Sequence, residues 1–131
     1  CLPACPTGAI FKRKDNGVVD IDSTLCIGCR KCEAACPFGA PQFNWEQNIV
    51  QKCNMCIDEL EAGRKPYCVS ACMMRVLDVG PIDQLRDGSY PTKARGSHDQ
   101  VVGQVKSMAD RELTNPSIVF VPHSKGRVDN G

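Results

Sequence analysis

Ten cysteines in 131 residues are the side chains here equipped for chemistry, and their spacing says which chemistry. Cys26, Cys29, Cys32 and Cys36 stand in a C-x2-C-x2-C-x3-C run followed by Pro37. Cys1 and Cys5 make a C-x3-C pair followed by Pro6, and Cys53, Cys56, Cys68 and Cys72 make C-x2-C-x11-C-x3-C. Two-residue gaps let three thiolates wrap one face of a [4Fe–4S] cubane, each reaching a different iron, with intervening N–H groups turned toward the sulfurs. The fourth cysteine is carried away by the start of a helix and reaches the neighbouring cluster, as in bacterial two-cluster ferredoxins. Proline after that cysteine supplies a rigid turn and has no N–H to satisfy.

Other cysteine chemistries explain less. Zinc uses C-x2-C pairs separated by a longer stretch and does not need the third C-x2-C link or the C-x3-C-P ending. For Cys53–Cys72 alone, with its eleven-residue gap, zinc is a fair competitor. Disulfides suit small secreted proteins, but cysteines two residues apart are poor partners for one another. Ten is also not a multiple of four, so these cysteines do not complete whole clusters by themselves. The sequence starts at Cys1, inside a motif and without a methionine. It reads as a piece of a longer protein with further ligands upstream.

The elements that must position the cysteines can be read around them. Gly8–Phe11 and Val18–Ile21 look like strands joined by a tight turn at Asp15-Asn16-Gly17, since Asn-Gly between apolar runs is a hairpin signal. The pattern partly recurs as strand Gly39–Phe43, a polar turn near Glu46–Asn48, and Ile49-Val50 leading into Cys53. Cysteine cluster, hairpin, cysteine cluster is an internal repeat. Asn54–Ala62 reads as a helix stopped by Gly63, and Pro66–Met73 as another. Beyond the cysteines, Val76–Gly80 suggests a strand, Pro81–Arg86 a helix with proline in its first turn, and Asp87–Asp99 a loop. Ser117–Val121 is the clearest late strand, and Ser124–Gly131 looks frayed. The fold class is α+β, ferredoxin-like, with residues 1–79 as the cluster-binding region and 80–131 as a cysteine-free extension packing on the core or on a partner.

Composition narrows the function classes. Hydrophobic residues make up 42% but aromatics only 5%, so any core is made of small aliphatics, cysteines and something else; in chains of this size a metal or disulfide framework often makes up the difference. A net charge of +1 gives no pull toward nucleic acid or an anionic membrane. No uncharged apolar stretch approaches the roughly 18–20 residues that span a bilayer. No catalytic acid, base or nucleophile stands out.

Three stretches carry a family resemblance: Cys1-x3-Cys5-Pro-Thr-Gly-Ala, Cys26-Ile-Gly-Cys-Arg-Lys-Cys-x3-Cys36-Pro-Phe-Gly-Ala-Pro, and Lys52-Cys-x2-Cys-x11-Cys-x3-Cys72. Together with Leu77–Leu85 and, faintly, Asn115–Val119, the chain resembles the electron-transfer subunit of the dimethyl sulfoxide reductase family of molybdenum oxidoreductases. Such subunits hold four cubanes, which implies six cysteines beyond the ten present. The resemblance implies that Cys5, Cys26, Cys29 and Cys32 ligate one cluster completely. It gives Cys1 and Cys36 to a second, Cys53, Cys56 and Cys68 to a third, and Cys72 to a fourth, each shared with upstream ligands. Cysteine at position 29, where nitrate reductase relatives have tryptophan, implies a cubane rather than a three-iron cluster. Met73 departs from the proline that usually follows the last cysteine and puts the local turn in question. The implied role is a wire, non-catalytic itself, between a quinone-linked membrane anchor or other donor and a molybdopterin catalytic subunit. Membrane association would then come through partners. A free-standing or fused polyferredoxin shuttle is the rival, and a zinc- or disulfide-held structural module the lesser one.

Several residues beside the ligands invite a role. Arg30, Lys31, Lys52 and Arg75 lie one or two positions from cysteines, where a cation favours reduction of an anionic cluster, although each also reads as plain solvated charge. Lys12-Arg13-Lys14 reads as a charged edge that resists sheet pairing. Ile10, Ile27, Phe38 and Val69 are expected to shield clusters from water. Trp45 is expected in the core or at a partner contact, and His98 and His123 are not expected as ligands.

Overall fold

The computed structural model describes residues 1–92, Val102, Val105 and 108–121. His98, His123 and Ser124–Gly131 lie outside the described residues, as does most of the second half of the Asp87–Asp99 loop. The chain divides into two compact units, Cys1–Ala62 and Gly63–Gly131.

The first unit is built on two short antiparallel hairpins. Strand β1 (Ile10–Lys12) pairs with β2 (Val19–Ile21) in the register Ile10↔Ile21, Phe11↔Asp20, Lys12↔Val19. The connection is longer than a tight two-residue turn. Arg13 N–H reaches Val18 O at 2.8 Å, Gly17 N–H reaches Arg13 O at 3.1 Å, and only Gly17 takes a positive φ, +72°. Asn16 acts through its side chain instead, accepting from Val18 N–H at 3.0 Å. Helix α1 (Lys31–Ala35) follows the dense cysteine run and carries Cys32 into the interior. Strands β3 (Gln42–Asn44) and β4 (Ile49–Gln51) pair with Phe43 opposite Val50. Their loop is organised by the Asn44 carboxamide oxygen, which accepts from Glu46 and Gln47 N–H at 2.9 and 3.1 Å. Helix α2 (Ile57–Glu61) ends this unit at the Ala62 cap.

Its core is small. Ile10, Cys32 and Val50 are buried together, with Cys5, Val19, Ile21, Cys26 and Phe43 packed around them. Three cysteines among these eight residues pack as small hydrophobes, and their reactive sulfurs sit at the centre of the unit.

In the second unit, α3 (Tyr67–Ser70) starts after buried Pro66, and α4 (Ile82–Asp87) starts after Pro81 and ends on Gly88. A further short helix, α5 (Arg111–Thr114), has no counterpart in the sequence reading; the Asp110 carboxylate caps it by accepting from Glu112 N–H at 2.8 Å. Two expected strands are corrected. Val76–Gly80 is irregular, with Val76 and Leu77 largely exposed, because Asp78 and the Val79 carbonyl are engaged by the Lys65 ammonium at 2.5 and 2.9 Å. Ser117–Val121 is not a strand, and among the described residues it contributes one bridge, Val102↔Phe120. An apolar run signals burial on one side, but a strand also needs a neighbour to pair with.

Candidate iron–sulfur centre

Cys26, Cys29 and Cys32 are set on one side of the first unit by a loop that turns twice through left-handed backbone. Gly28 has φ +67° and Arg30 has φ +58°. A methyl group at Gly28 would stand 2.3 Å from the carbonyl oxygen of Asn48, so the loop between Cys26 and Cys29 lies hard against the second hairpin's turn. Arg30 is clamped in its left-handed conformation by its side chain. The guanidinium lies 5.2 Å from the ring centres of both Phe43 and Trp45 and pairs with Glu33 at 2.7 Å.

These three cysteines share one cavity with Cys5. The space, about 310 Å³ with its open mouth included, is lined by Cys5, Cys26, Cys29 and Cys32 and by an apolar shell that includes Ile10, Ile21, Ile27 and Val50. Cys36 is not among the lining residues, since α1 has carried it away. Cys1 and Cys53 are exposed, and Cys36 and Cys56 half-buried. In the second unit, Cys68 on α3 is exposed and Cys72 half-buried. All ten cysteines are free thiols.

The cysteines that close each group share one local design. After Cys36, Gly39 takes φ +60°, its N–H reaches Cys36 O at 3.2 Å, and Ala40 N–H donates to Cys36 Sγ at 3.4 Å. After Cys72, Arg75 takes φ +49°, its N–H reaches Cys72 O at 3.1 Å, and Val76 N–H donates to Cys72 Sγ at 3.4 Å. Gly8, three residues after Cys5, has φ +69° and donates to Cys5 O at 3.4 Å. Met73 in place of proline therefore leaves the turn intact. Two further sulfurs accept amides at 3.4 Å: Cys53 from Met55, and Cys26 from Val50.

Iron binds the thiolate form, and at two of the cysteines backbone amides favour it. The Ile10 amide and then the Thr7 hydroxyl bring the Cys5 thiol down to about 7, against a smaller opposing effect of burial. The Val76 amide lowers Cys72 likewise. Burial pushes the Cys32 thiol up, in part offset by the Glu33 amide. That opposition is what a buried ligand without its metal shows, because desolvation penalises a bare thiolate.

The donor set fits a cluster better than a lone ion. A single zinc needs four thiolates about 3.8 Å apart, from Zn–S distances of ~2.3 Å in a tetrahedron. Among the described residues no three His, Cys, Asp or Glu side chains close on a point that way. Four cysteines instead line one open apolar hollow, and a cluster, which bonds each thiolate through a different iron, does not require them to converge on a single point.

Of the residues expected to shield clusters, Ile10 and Ile27 line the cavity. Phe38 is 40% exposed and outside the lining. Trp45 is corrected from a possible core residue to the surface: it is 73% exposed, edge-on to Phe43 at 4.8 Å. Thr7, Ile21 and Val50 escape sequence reasoning. Only the Thr7 hydroxyl, two residues after a ligand, offers a signal; Val50 arrives through hairpin pairing that spacing does not encode.

Comparison with known proteins agrees with this chemistry. A family model described as a 4Fe-4S dicluster domain matches residues 1–82. The beta chain of the anaerobic dimethyl sulfoxide reductase of Escherichia coli (strain K12) is 42% identical over 127 residues, 97% of this chain and 57% of its own length. The beta subunit of the sulfite dehydrogenase of Allochromatium vinosum is 50% identical over 135 residues, 98% of this chain and 53% of its own. The iron-sulfur subunit of the nitrate-inducible formate dehydrogenase of E. coli is 42% identical over 80 residues, 61% of this chain and 27% of its own. The chain thus spans little more than half the length of the first two relatives.

Proposed function

We infer the function from one premise: this protein belongs to the 4Fe-4S dicluster domain family, among iron–sulfur electron-transfer subunits like that of anaerobic dimethyl sulfoxide reductase. It carries [4Fe–4S] clusters and relays electrons. The observation that carries the finer reading is the single apolar cavity lined by four cysteines from two separate stretches of sequence. Cys5, Cys26, Cys29 and Cys32 are the ligands of one cluster. Cys1 and Cys36 serve a second, Cys53, Cys56 and Cys68 a third, and Cys72 a fourth, completed by ligands elsewhere in the longer protein. The fold is ferredoxin-like, with paired modules over residues 1–79 and an extension over 80–131 that packs on the core or a partner.

A bound cluster stores and releases one electron. The chain's own residues do the rest: the lining aliphatics exclude water, amides such as that of Val50 offset charge on the sulfurs, and the clamped Arg30 fixes the loop. The wider role is a wire in a complex, passing electrons between a membrane anchor or other donor and a molybdopterin catalytic subunit. Association with the membrane runs through those partners.

Anaerobic purification followed by iron and acid-labile sulfide analysis tests the cluster reading. Both are expected in equal amounts, and absence of both would sink it. Replacement of Cys29 by serine should remove or convert one cluster signal in electron paramagnetic resonance and leave others. Co-purification at native abundance with a large molybdenum-containing chain at fixed stoichiometry is expected for the wire; its absence favours a shuttle.

A further inference from the structure

Four cations flank the cysteines in sequence, and the structure separates them. Arg30 is neutralised by Glu33 at 2.7 Å, and its side chain is 47% exposed. Lys31 and Arg75 are exposed. Lys52 differs from all three. It is half-buried, and its ammonium donates to two backbone carbonyls, those of Val19 and Cys53. Among the described residues no carboxylate lies within 4.0 Å of it. The nearby Asp20 carboxylate is engaged by the Ile21 amide at 2.8 Å.

The strap has a geometric logic. Lys52 follows β4, while Val19 opens β2, so one side chain ties the exit of the second hairpin to the first hairpin. Its other bond is to the carbonyl of the adjacent cysteine, whose sulfur already accepts the Met55 amide at 3.4 Å. The charge is therefore held at a fixed place beside Cys53 rather than swept through solvent. Exposed charges are screened within about a Debye length, roughly 8–10 Å, and count for little. A half-buried charge without a contacting counter-ion acts at much closer to full strength.

We propose that Lys52 is a positioning residue that straps the first hairpin to the Cys53 turn and, by its fixed charge, raises the reduction potential of the cluster Cys53 ligates. The proposal rests on the reading of Cys53 as a ligand. Reduction adds negative charge to an already anionic cluster, so a nearby ammonium stabilises the reduced form more than the oxidised one. Arg30, paired and stacked, contributes shape in place of net charge.

The test is a redox titration followed by electron paramagnetic resonance on the full-length protein in its complex, for native protein and for Lys52→Met, Lys52→Gln and Lys52→Arg. Lys52→Met is expected to lower one cluster's midpoint, shifting its reduced-to-oxidised ratio at fixed poise about tenfold, or ~59 mV for one electron. The other clusters stay in place, and Lys52→Arg restores most of the shift. If Lys52→Met loses iron, Lys52→Gln, which keeps a donor without the charge, decides by the same measurement. Unmoved midpoints with full cluster content overturn the proposal, as does a Lys52→Arg midpoint that falls equally far. Cys53→Ser distinguishes the two layers: it should abolish the same signal that Lys52→Met moved. Loss of a different signal leaves Cys53 a ligand and overturns the proposal for Lys52; loss of no signal overturns the ligand reading instead.

Discussion

At the scale of single residues, positions 28 and 75 show what the cysteine loops demand of the backbone. Both are left-handed, but one is glycine and the other is not. Gly28→Ala would place a methyl group 2.3 Å from the Asn48 carbonyl at an unfavourable φ of +67°. We expect destabilisation of about 2 kcal/mol or more, seen as fewer irons per chain and a lower Tm. Arg75 occupies the place that Gly8 and Gly39 hold in the other groups. Arg75→Gly should stabilise by up to about 1 kcal/mol, the relief of left-handed strain less glycine's extra chain entropy. An unchanged or lower Tm in the loaded protein would count against that account. The ligand candidates were legible in the sequence, since C-x2-C-x2-C is a local code, and so was a rigid turn after Cys5 and Cys36, where proline follows; the matching turn after Cys72 was not, because Met73 stands where proline would mark it. The contact of Gly28 with Asn48 was not, because it exists only once the second hairpin has folded back.

At the scale of elements, the segment after Cys72 is held by side chains rather than by a sheet. Lys65 Nζ contacts Asp78 Oδ1 at 2.5 Å and Tyr90 Oη at 2.8 Å, and the Thr92 hydroxyl also donates to Asp78. Tyr90 lies so close over Gly80 that a methyl group there would stand 2.5 Å from its ring. Burial alone would raise the Asp78 pKa, but Lys65 and Thr92 prevail and hold it below the ordinary carboxylate value. Its contribution to stability is therefore complete above the unfolded pKa, about 3.9, and lost as pH falls through the lower folded value. Burial likewise works against the Lys65 charge, and Asp78 and Tyr90 outweigh it to raise that pKa. That part is complete below the unfolded value, about 10.4, and lost as pH rises through the folded one. Amide protection over α4, taken relative to the intrinsic exchange rate at each pH, should fall on acidification below about pH 4, and Asp78→Asn should flatten that dependence. Hairpins and helices were legible here wherever glycine or proline marked their ends, as at Gly63, Pro66 and Pro81. The strand expected at Val76–Gly80 was misread because a lysine distant in sequence had taken its carbonyl.

At the scale of the whole molecule, the apolar interior is slight. Among the described residues Ala9, Ile10, Cys32, Val50 and Ile57 are the buried hydrophobic ones, with Pro41 as the largest fully buried side chain. On the proposed ligand sets clusters would stand where a core otherwise does, and ligand binding would be linked to folding as in small zinc modules. Stripping iron with a chelator under anaerobic conditions should abolish the cooperative thermal transition and most of the far-ultraviolet circular dichroism. An iron-free form that still melts cooperatively would contradict this. The cofactor was legible from cysteine spacing, and the family from the resemblance of the motifs around those cysteines; the two-unit division at Ala62–Gly63 was not, since it falls inside the third cysteine group.

The left-handed turns beside the cysteines bear on how the protein holds its metal. Arg30, Met55, Cys56 and Arg75 all hold positive φ without being glycine, each at a cost of roughly 1–2 kcal/mol. The contacts of Arg30 with Phe43, Trp45 and Glu33 offset part of that strain within the chain itself. What remains pulls the loops toward opening, and iron–thiolate bonds oppose that pull for as long as a cluster is held. The same turns that aim the sulfurs are thus sprung against the metal they hold, and losing a cluster releases them.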